Sequence, residues 1–376
     1  MLSLYIHIPF CVRKCHYCGF YSTTYTLQQA DEYIASLRLE AESYQRAFDG
    51  RTFDSVYMGG GTPTALSSEQ LKKLIVIVHE HFHISRDAEC TVEANPNTVS
   101  DSQLALLREG GVNRLSLGVQ SFSNDVLKTL GRLHTAEEAA DAFTLARSAG
   151  FTNIGIDLIY GIPGQTAVQW NETLDRTIIL KPEHVSAYSL SIDEGSRFMS
   201  EAEAGRFSLP GDEQGVAMYE HAVNDLGRAG YKRYEISNFS LAGFACRHNM
   251  NYWERGEYLG LGPGAWSFIS GRRYHAIADV RDYSLRLKAG LSIIQDEEVA
   301  NFRQAANETV MLGLRMAEGV DLARFGRDFG ADTSRQLEMN AIPLQQAGLL
   351  EKTKGRLRLT GRGFLLANEA LARLTL

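Results

Sequence analysis

Over roughly the first 200 residues the sequence alternates six times between two hydrophobic periods, and this constrains the fold more than any other feature. Short β-branched runs predict strands at Leu4–Ile8, Ser55–Met58, Glu89–Glu93, Arg114–Val119, Asn153–Ile159 and His184–Leu190. Between them, Asp31–Ala47, Ser68–His81, Ser100–Glu109, Thr135–Ala149 and Ala167–Ile179 carry amphipathic helical spacing. Strand–helix alternation of this kind predicts a parallel α/β fold, here an open or partial (β/α)6 barrel. Ligands of such folds sit at the C-terminal ends of the strands. The unusual residues fall there: cysteines after the first strand, a glycine triplet after the second, Glu93 ending the third and Gln120 following the fourth.

Three of the five cysteines, Cys11, Cys15 and Cys18, lie within eight residues, while Cys90 and Cys246 stand alone. An odd, low count argues against a disulfide framework. Thiolates at this spacing suit an iron–sulfur cluster. A zinc site with His16 as fourth ligand is the competitor by ligand count. Three thiolates on a four-iron cluster leave one iron to chelate an amino acid through its amine and carboxylate. Such a cluster can pass one electron to a bound sulfonium. Phe10, Tyr17 and Phe20 flank the thiols as aromatic cover, or as plain core packing.

The chain of 376 residues is 44% hydrophobic and 22% charged, ample for a core. Its net charge of −7 disfavours nucleic acid and anionic membranes as partners. No apolar run reaches transmembrane length, and the first residues lack a signal-peptide pattern, so the expected location is the cytoplasm. From about Gly205 the alternation weakens. The expected organisation is a barrel over 1–205, an α+β extension over 206–290 and a small C-terminal unit over 291–376. In that last unit, helical segments near Ala300–Arg315, Asp321–Phe329 and Ser334–Ala347 precede a hairpin, Leu350–Leu359, which turns at Lys354-Gly355. That pattern resembles a winged helix. Given the acidic balance, it reads as an interaction or lid module rather than a DNA-binding one.

Five runs now stand in order on successive strand ends: Tyr5-Ile6-His7-Ile8-Pro9-Phe10-Cys11, Gly59-Gly60-Gly61-Thr62-Pro63-Thr64, Glu93-Ala94-Asn95-Pro96, Leu117-Gly118-Val119-Gln120-Ser121-Phe122 and Gly155-Ile156-Asp157-Leu158-Ile159-Tyr160-Gly161-Ile162-Pro163-Gly164. With them the chain resembles the radical SAM superfamily, and within it the group of oxygen-independent coproporphyrinogen oxidases and heme chaperones. The resemblance covers nearly the whole chain. It implies a [4Fe-4S] cluster on Cys11, Cys15 and Cys18. It also implies S-adenosylmethionine (SAM) held near Tyr5, Tyr17, Gly60, Gly61, Thr62, Glu93, Gln120, Arg132 and Asp157. Taken singly, these residues have plainer readings: strand packing for Tyr5, a strand-to-helix turn for the glycines, a surface ion pair for Arg132. For Glu93 and Asp157 the plainer reading is a salt bridge, to Arg114 or Arg132.

The oxidases carry a further cysteine two residues after the third, and a longer N-terminal extension. Here Phe20 stands in the cysteine's place, and Cys11 is almost at the start. Arg247-His248-Asn249-Met250-Asn251-Tyr252-Trp253 matches the H-N-x-x-Y-W pattern of the heme chaperones. The resemblance implies heme, with His248 as axial ligand and Arg247, Arg255, Arg272 or Arg273 meeting its propionates. Cys246 is a second iron ligand by proximity. The expected function is a heme chaperone. It would deliver heme to acceptor proteins, by family analogy respiratory and membrane-associated, which would place it peripherally at a membrane. The alternative is decarboxylation of porphyrinogen propionates, and whether the chain is an enzyme is left open.

Overall fold

A computed structural model describes residues 1–376. Six parallel strands lie side by side in sequence order: β1 (Leu2–Ile8), β2 (Thr52–Gly60), β3 (His83–Ala94), β4 (Arg114–Gln120), β5 (Ile154–Tyr160) and β6 (His184–Ser189). Each predicted strand is present, with helices between; five agree with their expected ends within three residues, while β3 begins six residues before the expected Glu89. Three of the helices between these strands begin in capping boxes: Ser67 with Gln70, Thr135 with Glu138, and Thr166 with Gln169. Each box satisfies two free N–H groups and so fixes where the helix begins.

Leu4, Ile6, Val56, Met58, Val92, Leu115, Leu117, Ile156, Leu158 and Val185 are all buried in the main core. Strand side chains alternate faces, so the opposite face carries Ser3, Tyr5, Ser55, Tyr57, Glu93, Arg114, Ser116, Asp157, His184 and Ser186. An ordinary barrel fills this space with branched apolar residues; here the interior is polar.

The stretch after β6 does not leave the sheet. Asn238–Ser240 pairs antiparallel with β6, and Glu257–Leu261 adds in parallel to the free edge of β1, with Leu4 opposite Leu259. An antiparallel meander of Trp266–Ile269, Arg272–Ala276 and Ile294–Val299 continues outward. The result is one open twelve-stranded sheet, and Leu259, Leu261, Ala276, Tyr283 and Ile293 share the main core.

Residues beyond about 300 build their own core around Val310, Leu314, Phe325, Leu337, Leu344, Leu357 and Phe364. Three helices, Phe302–Gly313, Leu322–Phe329 and Ala331–Gln346, precede a hairpin of Leu350–Thr353 and Arg356–Leu359. Val320–Asp321 pairs as a third strand. The turn has Lys354 at φ 49° and Gly355 at φ 75°, the pair of left-handed residues that a two-residue hairpin loop requires. No helix is long and apolar enough to cross a membrane.

Candidate functional site

The loop after β1 carries the cysteines and is pinned from several sides. Phe10–Cys11 pairs with Thr23–Thr24. The His16 N–H donates to Leu130 O at 3.0 Å, and the Gly19 N–H donates to Asp193 Oδ2 at 3.0 Å. Arg197 Nη1 donates to His16 Nε2 at 3.1 Å, which leaves Nδ1 to donate to Thr129 O at 3.0 Å. With both nitrogens engaged, His16 is not free to complete a zinc site.

All three thiols line one cavity of about 590 Å³ at the strand ends. A chain of hydrogen bonds joins two of them. Thr62 Oγ1 donates to Cys11 Sγ at 3.6 Å, and Asn95 Nδ2 donates to Thr62 Oγ1 at 2.8 Å. Arg132 donates to Asn95 Oδ1 at 2.5 Å, to Gly118 O at 2.6 Å and to Cys15 Sγ at 3.4 Å. Arg132 is thus a half-buried strut that meets no carboxylate, in place of a surface ion pair. Burial pushes the Cys18 thiol up to about 11 and raises that of Cys11, and the neighbouring thiols push the same way. Thiolates in such a place need a bound cation to exist at neutral pH. No three His, Cys, Asp or Glu side chains meet at the spacing of a single-ion site. Cluster thiolates bind different irons and so surround a body rather than a point. This donor set fits a cluster better than a lone ion.

Gly60, Gly61, Thr62, Glu93, Gln120, Asp157 and Tyr17 line the same cavity. Gly60 has φ 104°, and a Cβ there would stand 2.4 Å from the His7 ring. The Gly61 N–H donates to Ile8 O and the Thr62 N–H to Phe10 O, so the triplet is stitched to β1. Gln120 holds φ 68° at the end of β4, a strained backbone for a side chain other than glycine. Glu93 accepts from Tyr57 Oη at 2.7 Å and from the Gly60 N–H at 3.1 Å. Asp157 accepts from Ser116 Oγ at 3.0 Å and Ser186 Oγ at 2.7 Å. Neither forms the salt bridge weighed from sequence. Burial pushes Glu93 up to about 7 and raises Asp157. Shifted carboxyls gathered in a cleft are the mark of a ligand site.

Three residues expected to meet SAM or the heme iron stand apart from both roles in this conformation. Tyr5 does not line this cavity. It donates to His7 Nδ1 at 3.1 Å and lines a neighbouring cavity of about 670 Å³. His248 lines neither cavity and is 1% exposed. Ser55 Oγ donates to Ser3 Oγ, so the 3.0 Å contact between Ser55 Oγ and His248 Nδ1 is a bond that Nδ1–H donates. His248 Nε2 then accepts from Tyr252 Oη at 2.8 Å. Burial lowers the imidazole to about 3, keeping it neutral. In this conformation no lone pair is left for an iron. Cys246 is likewise withdrawn: it is fully buried, its Sγ donates to Glu89 Oε1 at 3.4 Å, and burial pushes it up to about 12.

The second cavity has an aromatic wall of Tyr252, Tyr258, Trp266 and Phe268, with Arg255 and Arg273 beside it. The two cavities share Phe20 and Asp193. Of the four arginines considered for propionates, only Arg255 and Arg273 reach it; Arg247 donates to Asp87 O and Arg272 pairs with Glu297. The sequence reading missed Asn95, Arg114, Ser116, Ser186 and Asn249, which also line the first cavity. The available signal was a polar period of two in strands expected to be apolar on both faces.

The family model of the radical SAM superfamily matches residues 5–177, and that of the HemN C-terminal domain matches 303–366. The heme chaperone HemW of Lactococcus lactis is 37% identical over 375 residues, covering 100% of this chain and 97% of that one. The heme chaperone HemW of Bacillus subtilis is 38% identical over 371 residues, 98% of each chain. The structure of the coproporphyrinogen III oxidase HemN from Escherichia coli, described as a radical SAM enzyme, superposes with a TM-score of 0.87. It is 26% identical and covers 100% of this chain and 90% of the other.

Proposed function

The chain belongs to the HemW family of heme chaperones within the radical SAM superfamily, and from that premise we propose that it binds heme and passes it to acceptor proteins. The observation that carries the reading is relatedness at 37% identity along the full chain to proteins named for that role. Phe20, where the oxidases have a cysteine, supports it.

In this proposal Cys11, Cys15 and Cys18 hold a [4Fe-4S] cluster, and SAM lies across the strand ends. The cluster, when bound, supplies one-electron chemistry. Thr62 and Arg132 donate to two of its sulfur ligands and hold them against β2 and β4. Gly60, Gly61 and Glu93 would receive the amino end of SAM; Gln120, Asp157, Arg132 and Tyr17 would border the rest. The aromatic cavity next door offers flat apolar faces and two guanidiniums to a flat macrocycle with two carboxylates. Tyr252 contributes through its ring, and His248 stands behind it as the partner that orients the phenol. The acceptors are proposed to be heme proteins, respiratory and membrane-associated ones included, met from the cytoplasm.

The test is a hemin titration of the cluster-loaded protein by absorbance, followed by mixing with a heme-free acceptor. Saturable uptake and transfer are expected. Absence of uptake refutes the proposal, and vinyl product from coproporphyrinogen in an anaerobic assay with SAM and a reductant would favour an oxidase instead.

A further inference from the structure

The wall of the aromatic cavity contains an arrangement that the barrel chemistry does not use. Arg255 and Arg273 stack on the same ring, with their guanidinium carbons 4.7 Å and 5.2 Å from the Phe268 centroid. Both converge on one carboxylate, that of Glu308. Arg255 Nε donates to Oε2 at 2.6 Å, and Arg273 Nη2 donates to Oε1. Arg273 Nη1 also donates to Glu298 at 2.8 Å. The Arg255 side chain is 16% exposed and the Glu308 side chain 22%, so the cluster is sheltered but opens onto the cavity, which all three of these residues line. Arg255 holds φ 55°, a conformation a side-chain-bearing residue adopts only under constraint.

Glu308 comes from the helix Phe302–Gly313, which belongs to the C-terminal domain with its separate core. The domain is also tied to the sheet by an antiparallel bridge between Glu235 and Met316, by Ile236 packed on the domain's core and by Leu365 packed on the main core. Arg233 lies over the Phe364 ring at 3.7 Å, Arg315 over the Trp253 ring at 5.9 Å, and the Ala317 N–H donates to Tyr234 O at 2.9 Å. A carboxylate bridging two stacked guanidiniums at the edge of a flat aromatic cavity is what a tetrapyrrole propionate would make on entering it.

Resting on the heme-chaperone reading, we propose that Arg255 and Arg273 are the receptor for the carboxylates of the tetrapyrrole, and that Glu308 is an internal stand-in which the incoming propionates displace. Exchange of one carboxylate for another keeps the guanidiniums paired, so the ligand does not pay to strip a buried charge of its partner. The displaced Glu308 leaves with its helix, so loading the cavity loosens the C-terminal domain from the sheet. Loading and domain position are then linked, and by reciprocity anything that pulls the domain away favours binding.

The experiment titrates hemin and hemin dimethyl ester into the full-length, cluster-loaded protein and its E308Q, R255Q and R273Q variants, read by absorbance, with melting curves to confirm folding. Glu308→Gln is expected to tighten hemin about tenfold, and each arginine change to weaken it about tenfold, with the ester unaffected by all three. Hydrogen exchange in 302–313 is expected to rise when hemin, but not the ester, is added. Equal shifts for hemin and ester, or unchanged hemin affinity in the folded variants, overturn the inference while leaving heme binding intact. If the unaltered protein takes up neither compound, the heme reading itself fails and the inference falls with it.

Discussion

Glu89 joins the helix Arg247–Trp253 to the barrel, and replacing it should release that helix. The carboxylate is 7% exposed. Its Oε2 accepts from the Arg247 N–H and its Oε1 from the His248 N–H, both at 3.1 Å, and Cys246 Sγ also donates to Oε1. It therefore acts as the cap of a seven-residue helix from a strand more than 150 residues earlier. It is also one of the anionic neighbours of the buried Arg114. A hydrogen bond to a charged group contributes about 1.5–3 kcal/mol. Two such bonds lost together, with two buried N–H groups and a guanidinium left less compensated, put Glu89→Ala at about 3–5 kcal/mol. At about 2 °C per kcal/mol for a large cooperative unit, the melting temperature should fall by about 6–10 °C. Glu89→Gln keeps one acceptor oxygen and should lose roughly half as much. Thermal melting followed by circular dichroism measures the shift. Peptide-resolved maleimide labelling of the native protein supplies an independent readout: Cys246 should become reactive in Glu89→Ala and stay protected in the unaltered chain. A melting temperature within about 2 °C of the parent, with Cys246 still protected, would refute the account.

Glu40 is 1% exposed, accepts from Tyr283 Oη at 2.5 Å and the Gly262 N–H at 2.8 Å, and is pushed by burial up to about 7. The folded state thus keeps a proton that the unfolded chain has lost. The stability this confers is complete below about pH 4.5 and is lost as pH rises through 7, about 3 kcal/mol in all; chemical denaturation across pH 5–8 should show that slope, and Glu40→Gln should flatten it. Serine at Cys11, Cys15 or Cys18 should each reduce bound iron after reconstitution to background, whereas Cys90→Ser should retain it; iron retention in Cys15→Ser would contradict the assignment. A Cβ on Gly61 would stand 2.5 Å from Phe10 O and 2.7 Å from Ile8 O, so Gly61→Ala should cost about 1–3 kcal/mol and lower iron per chain, because Cys11 follows Phe10 directly.

The alternation of periods two and 3.6 was enough to predict six parallel strands and the helices between them, because each segment carries its own hydrophobic pattern and its own capping residues. The strand-end runs also stood out, since glycine triplets, lone carboxylates and clustered thiols are conspicuous in apolar strands. Strand Glu257–Leu261 was not legible. Its alternation is broken by Gly260, which is there because Trp266 O lies where a side chain would be, and its pairing with β1 spans some 250 residues that no local pattern connects.

The same limit explains His248. A histidine followed by Asn249, Tyr252 and Trp253 suggests an axial heme ligand only through the family resemblance; by its residues alone it reads as packing. Only the tertiary structure reveals Glu89 accepting from its backbone N–H while Ser55 and Tyr252 engage the two ring nitrogens. Sequence by itself determined which residue types were available at each strand end. Which cavity each side chain faces, and whether its lone pairs are already spent, depended on partners far apart in the chain, because hydrogen bonds and burial are set by position in space.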